Sequence, residues 1–243
     1  MLRVLGIASL VLASPAAAAA AEPAIPEAHI PRLVAEATTP QGFAPEGWAL
    51  EVQAAGDLDG DGDADVVGVV RGQDPSLLLE NDGLGSAQLD TNPRILFVAF
   101  RQPDGSYRLG QQDAALIPRH VLPTMEDAFG EGDGLEVKGR SIRVRLRALM
   151  NAGGWDSFTV VYTLRWQNGR LEMIGYDRMD INRGSGAVSE VSINYSTGRV
   201  KIAKGSIEDD ELAVRWDTLR DRRRMPLADI GDGLDFDSGF GAE

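Results

Sequence analysis

The fold class is indicated by one stretch of the chain, Phe158-Thr-Val-Val-Tyr-Thr-Leu-Arg-Trp166, which continues through Gln167-Asn168-Gly169 into Arg170-Leu-Glu-Met-Ile-Gly-Tyr176. Large apolar side chains occupy every second position from Phe158 to Trp166, and the residues between them are mostly polar. This period of two is typical of a half-buried β-strand. Asn168 and Gly169 both tolerate positive φ, so the pair suits a type I′ turn. The stretch therefore predicts an antiparallel hairpin.

The same alternation recurs along the chain, with turn residues between the apolar runs. Further strands are predicted over Ile95–Phe100, Ser106–Leu109, Leu135–Lys138, Ser141–Leu149, Val191–Tyr195 and Val200–Ile202, and the joining turns contain Asp104-Gly105, Gly139 and Ser196-Thr197-Gly198. Strands joined by such short turns pair as antiparallel neighbours. We therefore expect a mainly β fold, an antiparallel hairpin meander in a single domain, with few short helices.

Two features leave alternatives open. An arginine stripe, Arg143, Arg145 and Arg147, is interpreted as a solvated sheet face, and the alternative is an anion-binding stripe. Acidic residues early and basic residues late favour a helix over Ile207–Arg224, although Leu212–Trp216 also resembles a final strand. Ile30–Ala37 is a candidate for a short helix, and Pro75–Gln88 and Ala114–Phe129 are each candidates for a turn or a short helix.

Composition excludes several classes of function. The chain has 243 residues, of which 43% are hydrophobic, with 24 basic and 37 acidic residues and a net charge of −13. Such an acid excess argues against nonspecific binding to nucleic acid or anionic membranes, because both are polyanions. The lack of cysteine excludes disulfides, thiol nucleophiles and cysteine-ligated metals, and two histidines are too few for a multi-histidine site.

The N-terminal 21 residues have the order of a secretory signal peptide: a basic start at Arg3, an apolar run from Val4 to Leu12, and a small-residue tract that ends at Ala21. Cleavage near Ala21 would deliver the chain to the periplasm or the medium. Residues 22–47 are predicted to form a proline-rich extended leader, 48–225 a single β-rich domain, and 226–243 a loose acidic Gly/Asp tail. No later segment is apolar enough to span a membrane, and we expect a monomer.

The most specific motif is the acidic loop Gly56-Asp57-Leu-Asp59-Gly-Asp61-Gly62-Asp63-Ala-Asp65. Aspartates at alternate positions of a turning loop can converge on a hard cation, and Ca²⁺ requires six to eight oxygen ligands. Gly62 permits the sharp turn. The motif predicts a Ca²⁺ site with side-chain ligands from Asp57, Asp59, Asp61 and Asp65 and the main-chain carbonyl of Asp63.

Three other interpretations of this acidic motif are an EF-hand, a magnesium site and an acidic turn without an ion. An EF-hand needs flanking helices and a glutamate at position 12, but that position is Gly68, inside a valine-rich run that predicts a strand. Magnesium prefers fewer protein ligands in a rigid octahedron. The third alternative is an acidic turn that binds no ion.

The stretch from Ala55 to Arg71 resembles one FG-GAP or VCBS-type repeat, the calcium-loop unit of integrin-like β-propellers. A propeller needs several such loops, and the chain has one, so a full propeller is not expected. Roughly Pro45 to Arg220 also resembles uncharacterised exported bacterial proteins, through segments that include Gly154-Trp155, Tyr162-Thr-Leu-Arg-Trp166 and Ile193-Asn194-Tyr195-Ser196-Thr197-Gly198. The resemblance implies a β-rich extracytoplasmic domain with bound calcium.

No catalytic constellation stands out in the sequence. His120 lies between prolines, and no nucleophile elbow or phosphate-binding glycine loop is present. Trp155, after two glycines, is the best candidate for an exposed aromatic. We expect a non-catalytic calcium-binding module of the cell envelope that binds an unknown protein or glycan. The alternative is a periplasmic hydrolase of envelope polymer that uses two carboxylates as acid and base.

Overall fold

The computed structural model describes residues 23–130, 133–222 and 224–240, and its strands confirm the predicted mainly β, antiparallel, single-domain fold. In chain order the strands are β1 (Glu36–Ala37), β2 (Trp48–Gly56), β3 (Asp65–Gly72), β4 (Leu78–Glu80), β5 (Gln88–Asp90), β6 (Arg94–Arg101), β7 (Tyr107–Asp113), β8 (Leu135–Lys138), β9 (Ser141–Leu149), β10 (Asp156–Gln167), β11 (Arg170–Asn182), β12 (Ala187–Asn194), β13 (Arg199–Ser206), β14 (Ala213–Thr218) and β15 (Met225–Pro226). Short 3-10 helices lie at Pro40–Phe43, Pro75–Leu77 and Leu227–Asp229.

Two large sheets account for most of these strands. The first has the order β1-β7-β6-β3-β2, and the second has the order β14-β13-β12-β11-β10-β9-β8, with β15 added beside β11. The small hairpin β4-β5 stands apart. Neighbours in the second sheet are consecutive in the chain, so this sheet is the predicted meander.

The central strands of the first sheet are buried on both faces, which explains the unbroken apolar run of β3. Val67 and Val69 join the main core shared with the second sheet, whereas Val66 and Val70 pack in a smaller cluster on the opposite face. The leader covers that second cluster, and its Phe43 is fully buried. The leader is mostly extended, as its prolines predict, but ordered packing begins well before Trp48.

The hairpin β10-β11 has the predicted turn. Asn168 has φ 56° and Gly169 has φ 73°, as a type I′ turn requires. On the adjacent strand β9, the three arginines lie on the face away from the core, partly exposed. Arg145 and Arg147 form ion pairs with Asp133 at 2.8 and 2.6 Å, and Arg143 pairs with Glu136 at 3.2 Å. These contacts support the interpretation of the stripe as a solvated face.

The helices predicted from local sequence are wrong at two places, Ile207–Arg224 and Ile30–Ala37, whereas the turn or short helix predicted over Ala114–Phe129 is present as turns. Residues 213–218 form strand β14, because they complete the ladder beside β13, and no helix occurs in the described part of Ile207–Arg224. The leader contributes β1, paired with β7, instead of a helix near Ile30–Ala37. Turns, without a helix, fill Ala114–Phe129. Only the Pro75–Gln88 region holds a short helical turn, at Pro75–Leu77.

The C-terminal segment is packed on the main core, so the expectation of a loose tail is wrong for its described part. Leu227 is 1% exposed and Ile230 is 6% exposed. Phe236 contacts the rings of Tyr162 and Tyr176. The hydroxyl of Tyr162 donates to the Gly233 carbonyl at 2.6 Å. The aromatic residues of the tail therefore extend the core that the sheets begin.

The predicted signal peptide, residues 1–21, lies outside the described residues. Within 23–130, 133–222 and 224–240, no helical segment combines the length and the apolar composition of a membrane span.

Candidate metal centre

The acidic loop joins β2 to β3 at the end of the first sheet. Gly60 has φ 92° and Gly62 has φ 97°, values that favour glycine and let the loop fold back on itself. The turn brings together carboxylate oxygens of Asp57, Asp59 and Asp61, which lie within 4.8 Å of one another. Three of the five predicted ligands therefore converge.

Main-chain amides orient these three carboxylates. Asp57 Oδ1 accepts a hydrogen bond from the Gly60 amide at 2.6 Å, and Asp59 Oδ1 accepts one from the Asp61 amide at 3.1 Å. Asp61 Oδ1 accepts from the amide of Asp63 at 2.8 Å. Each bond engages one oxygen of its carboxylate, so the hydrogen bonds shape the loop and use only part of its acceptor capacity.

Asp65 lies beneath the loop and holds it in place. Its carboxylate is fully buried: Oδ2 accepts from the Leu58 amide at 2.8 Å and the Asp59 amide at 3.3 Å, and Oδ1 accepts from the Arg101 amide at 3.0 Å. Burial raises the pKa of Asp65 above its ordinary value, although these amide hydrogen bonds act in the opposite direction. Asp65 therefore braces the loop against β6, outside the group of three carboxylates. The places of Asp63 and Asp65 in the ligand set stay predictions.

Arg140 contacts the loop from the second sheet, a contact that the sequence interpretation missed. It lies in the tight turn between β8 and β9, and its guanidinium donates to the carbonyl of Asp59. A Cβ at Gly60 would lie 2.6 Å from Arg140 Cζ, and a Cβ at Gly56 would lie 2.6 Å from Val137 Cγ1. Glycine at both positions thus lets the β8-β9 hairpin approach the loop. The cation of Arg140 offsets part of the loop's negative charge.

The donor set fits a hard divalent cation. The three converging groups are carboxylates, and the described loop offers only oxygen ligands from its side chains and carbonyls. Carboxylate and carbonyl oxygens suit Ca²⁺, Mg²⁺ and Mn²⁺ better than soft metals. Asp57 is partly buried and Asp59 and Asp61 are exposed, so water can complete a coordination shell.

A second charged cluster, which has no signature in the sequence, lies on the first sheet. The Arg94 side chain is 1% exposed and binds Glu51 at 2.6 and 2.8 Å and Asp127 at 2.9 and 2.7 Å. Arg71 adds contacts to both acids and reaches Asp90 at 2.9 Å. This network joins four separate segments of the chain.

Within this network, electrostatic interactions favour the charged forms of Arg94 and Asp127. Burial alone would lower the pKa of Arg94, but hydrogen bonds with Glu51 and Asp127 outweigh it and raise that pKa. Burial alone would raise the pKa of Asp127, but the hydrogen bonds and charge of Arg94 hold that pKa below its ordinary value. An acid of this kind is a poor proton donor near neutral pH, so the network has the properties of a structural clamp.

Other residues singled out in the sequence occupy separate places. His120 Nε2 lies 2.7 Å from the Met125 carbonyl, a contact that ties down its loop. Trp155 is 67% exposed, as expected, whereas Trp166 packs on Phe100 with ring centroids 4.7 Å apart. None of these three side chains belongs to the carboxylate loop.

Comparisons of the chain with protein-family models, with curated proteins and with solved structures found no match. The class of the protein therefore follows from its own fold and site. It is a mainly β protein of two large antiparallel sheets, with an interstrand carboxylate loop that could hold a metal ion.

Proposed function

We propose that this protein is an exported calcium-binding β domain of the bacterial cell envelope, and that it acts as a non-catalytic binding module. The observation that carries the proposal is the convergence of Asp57, Asp59 and Asp61 within 4.8 Å on a loop braced by Asp65 and Arg140. The bracing matters because a loop that is ordered in advance loses less conformational entropy when a cation binds.

Calcium is preferred to magnesium because of the ligand supply. Ca²⁺ accepts six to eight oxygens in flexible geometry, and the loop combines three carboxylates with neighbouring carbonyls and access for water. Mg²⁺ would demand a rigid octahedron. The resemblance of Ala55–Arg71 to an FG-GAP or VCBS-type loop supports the same choice.

The proposal of a binding role rests on the chemistry of the acids. A glycosidase-type hydrolase would need one carboxylic acid with a raised pKa beside a second carboxylate. In the Arg94 network, both Glu51 and Asp127 bind an arginine, and the pKa of Asp127 is lowered. Burial raises the pKa of Asp65 and of Asp232, each near a second aspartate. Asp65 is fully buried and accepts main-chain amides with both oxygens, and Asp232 Oδ1 accepts from the Leu234 amide at 2.8 Å, so both carboxylates hold local backbone in place. The location in the envelope rests on the signal-like N-terminus, and the partner is a protein or glycan of that compartment.

Isothermal titration calorimetry of the chelator-treated protein tests the cation site. We expect saturable Ca²⁺ binding, weaker Mg²⁺ binding, and loss of the Ca²⁺ signal in the double variant Asp59→Ala/Asp61→Ala. Asp104→Ala provides a matched control, because Asp104 also lies in a tight turn between strands, where it bonds Ser106. A titration without saturable Ca²⁺ binding, or with equal binding in the double variant, would refute the proposal.

The binding role needs a separate experiment in the compartment. The purified protein, immobilised and incubated with envelope extract, should capture a partner in Ca²⁺ and release it in EGTA. The Asp59→Ala/Asp61→Ala variant should capture less, and Asp104→Ala should behave as wild type. Turnover of envelope polymer by the purified protein would contradict the non-catalytic part of the proposal.

A further inference from the structure

The outer edge of the second sheet is formed by β14, and all six of its residues are exposed. Trp216 is 57% exposed and Val214 is 50% exposed, both on the face opposite Arg215 and Asp217. An edge strand presents unpaired amides and carbonyls to any further strand. Natural edges are usually blunted by proline, a bulge or charged side chains, especially lysine. β14 has no proline, lysine or bulge, and the two charges that it carries, Arg215 and Asp217, are of opposite sign.

The direction of the free hydrogen-bonding groups follows from the ladder with β13. The Leu219 amide donates to the Gly198 carbonyl at 2.8 Å, so the amide of Leu219 points toward β13. In an antiparallel pair this direction alternates along the strand. The amides and carbonyls of Val214 and Trp216 and the carbonyl of Thr218 therefore point away from the sheet and are placed to pair with an added strand. The Thr218 amide donates to Asp217 Oδ1 at 2.7 Å, a bond that is exchanged when a strand is added.

We propose that β14 pairs antiparallel with β14 of a second copy of this chain. The second sheets of the two copies then form one continuous sheet across a two-fold axis. The sequence of the strand is complementary to itself in one register. When Trp216 lies opposite Trp216, Arg215 of each copy lies opposite Asp217 of the other. Cross-strand pairs of opposite charge and of aromatic rings both stabilise a sheet.

Charge selects this register over its neighbours. A shift that places Val214 opposite Trp216 would put Arg215 opposite Arg215. The opposite shift, with Trp216 facing Thr218, would put Asp217 opposite Asp217. Like charges directly opposite each other destabilise strand pairing. Only the register with Trp216 opposite Trp216 therefore forms two ion pairs and also pairs the outward-pointing backbone groups of the two strands.

The side chains are already arranged for this contact. The Arg199 guanidinium lies 4.3 Å from the Trp216 ring centroid and holds the indole on the outer face. Arg215 and Asp217 are 68% and 42% exposed, and their contact of 3.4 Å within the strand is exchanged for the cross-strand pairs when two copies join. The opposite edge strand of the same sheet, β8, has four residues and ends in Lys138, which makes it a poorer template. A six-residue contact is small, so the dimer should depend on concentration.

The experiment is analytical ultracentrifugation of the purified protein over a range of concentrations, in EGTA and about 0.15 M salt, where the Debye length is about 8 Å. The wild type should show a monomer–dimer equilibrium. Arg215→Asp and Asp217→Arg should each raise the dimer Kd by about tenfold or more, because each replaces two attractive pairs with two repulsive ones. The double variant Arg215→Asp/Asp217→Arg restores both pairs and should return the Kd close to the wild-type value.

The variant Val214→Pro tests the proposal through the backbone hydrogen bonds, independently of charge. It removes an amide that points outward, so it should abolish the dimer and leave the melting temperature nearly unchanged. A wild type that stays monomeric overturns the proposal. So does a dimer whose Kd is unaffected by the two charge reversals, or one that the double variant does not restore. The assay without Ca²⁺ keeps this result separate from the outcome for the metal site.

Discussion

The side chains at the candidate metal centre have two different roles. Asp57, Asp59 and Asp61 supply converging carboxylates, whereas Asp65 and Arg140 hold the backbone that carries them. Mutual repulsion among the carboxylates opposes this shape, and a bound cation would relieve it. The stability of the native state should therefore depend on calcium.

The first prediction at this scale concerns the melting temperature. For a site at calcium concentrations about 100-fold above its Kd, binding stabilises the native state by about 2.7 kcal/mol, which corresponds to roughly 5–10 °C for a domain of this size. Asp59→Ala or Asp61→Ala should remove most of that shift, since each deletes a charged ligand. The control variant Asp104→Ala should keep the calcium-dependent shift in melting temperature. A wild type whose melting temperature is equal in calcium and in EGTA would show that the loop is only an acidic turn.

The second prediction concerns Asp127. Because its folded-state pKa lies below the ordinary value of about 3.9, its stabilising effect is fully present above that value and disappears as pH falls through the folded-state pKa. Asp127→Asn should lower the free energy of unfolding by about 2 kcal/mol at neutral pH, and the deficit should shrink on acidification.

Urea unfolding between neutral pH and about pH 3 measures this deficit. Asp82→Asn, at an exposed loop position, is the control and should follow the wild type throughout. A deficit for Asp127→Asn that stayed constant or grew in acid would contradict the role of an ionised Asp127 bound to Arg94.

At the scale of elements, the hairpin β10-β11 organises the second sheet. Its strands are the longest in the described chain, and its turn places Asn168 and Gly169 at positive φ. Glu172, buried next to the turn, accepts hydrogen bonds from Gln167, Asn168 and Arg170. Side-chain contacts therefore reinforce the register that the turn sets.

The third prediction tests this turn. Gly169→Ala should reduce the free energy of unfolding by about 1 kcal/mol, because an L side chain is strained at φ 73°. Gly154→Ala is the control: Gly154 does not have a positive φ, and its added Cβ would meet the flexible Met150 side chain at 3.3 Å. Chemical denaturation of both variants gives the comparison, and equal losses would argue against strain at Gly169.

On the scale of the whole molecule, both ends of the described chain pack on apolar surfaces that the sheets alone would leave exposed. Phe43 of the leader covers one face of the first sheet, and Leu227 of the C-terminal segment fills the main core. Segments that composition marks as linkers are therefore part of the folded unit.

The fourth prediction measures the C-terminal contribution. Leu227→Ala should lower the free energy of unfolding by about 3 kcal/mol, since it removes a buried side chain and leaves a cavity. Leu84→Ala, at a side chain that is 74% exposed, should change it by less than about 0.5 kcal/mol. Similar small losses for both variants in urea unfolding would mean that the tail is not part of the stable core.

Local pattern was enough for strands β6 to β13 and their hairpin turns. Alternation from Phe158 to Trp166 and the Asn168-Gly169 pair describe interactions between residues close in the chain, and such interactions are visible in a linear sequence. The charge order of Ile207–Arg224 misled for the same reason: it favours a local helix, and the ladder offered by β13 outweighs that preference.

The remaining features depend on residues far apart in the chain. Arg140 reaches Asp59 across 81 positions, and Arg94 reaches Glu51 across 43. The alternating aspartates are sufficient to predict that the carboxylates of Asp57, Asp59 and Asp61 converge, because a turning loop brings near neighbours together. Only the tertiary structure determines that Asp65 braces the loop against β6 of the first sheet and that Arg140 contacts it from the second sheet, because burial and long-range contact exist only once the whole chain has folded.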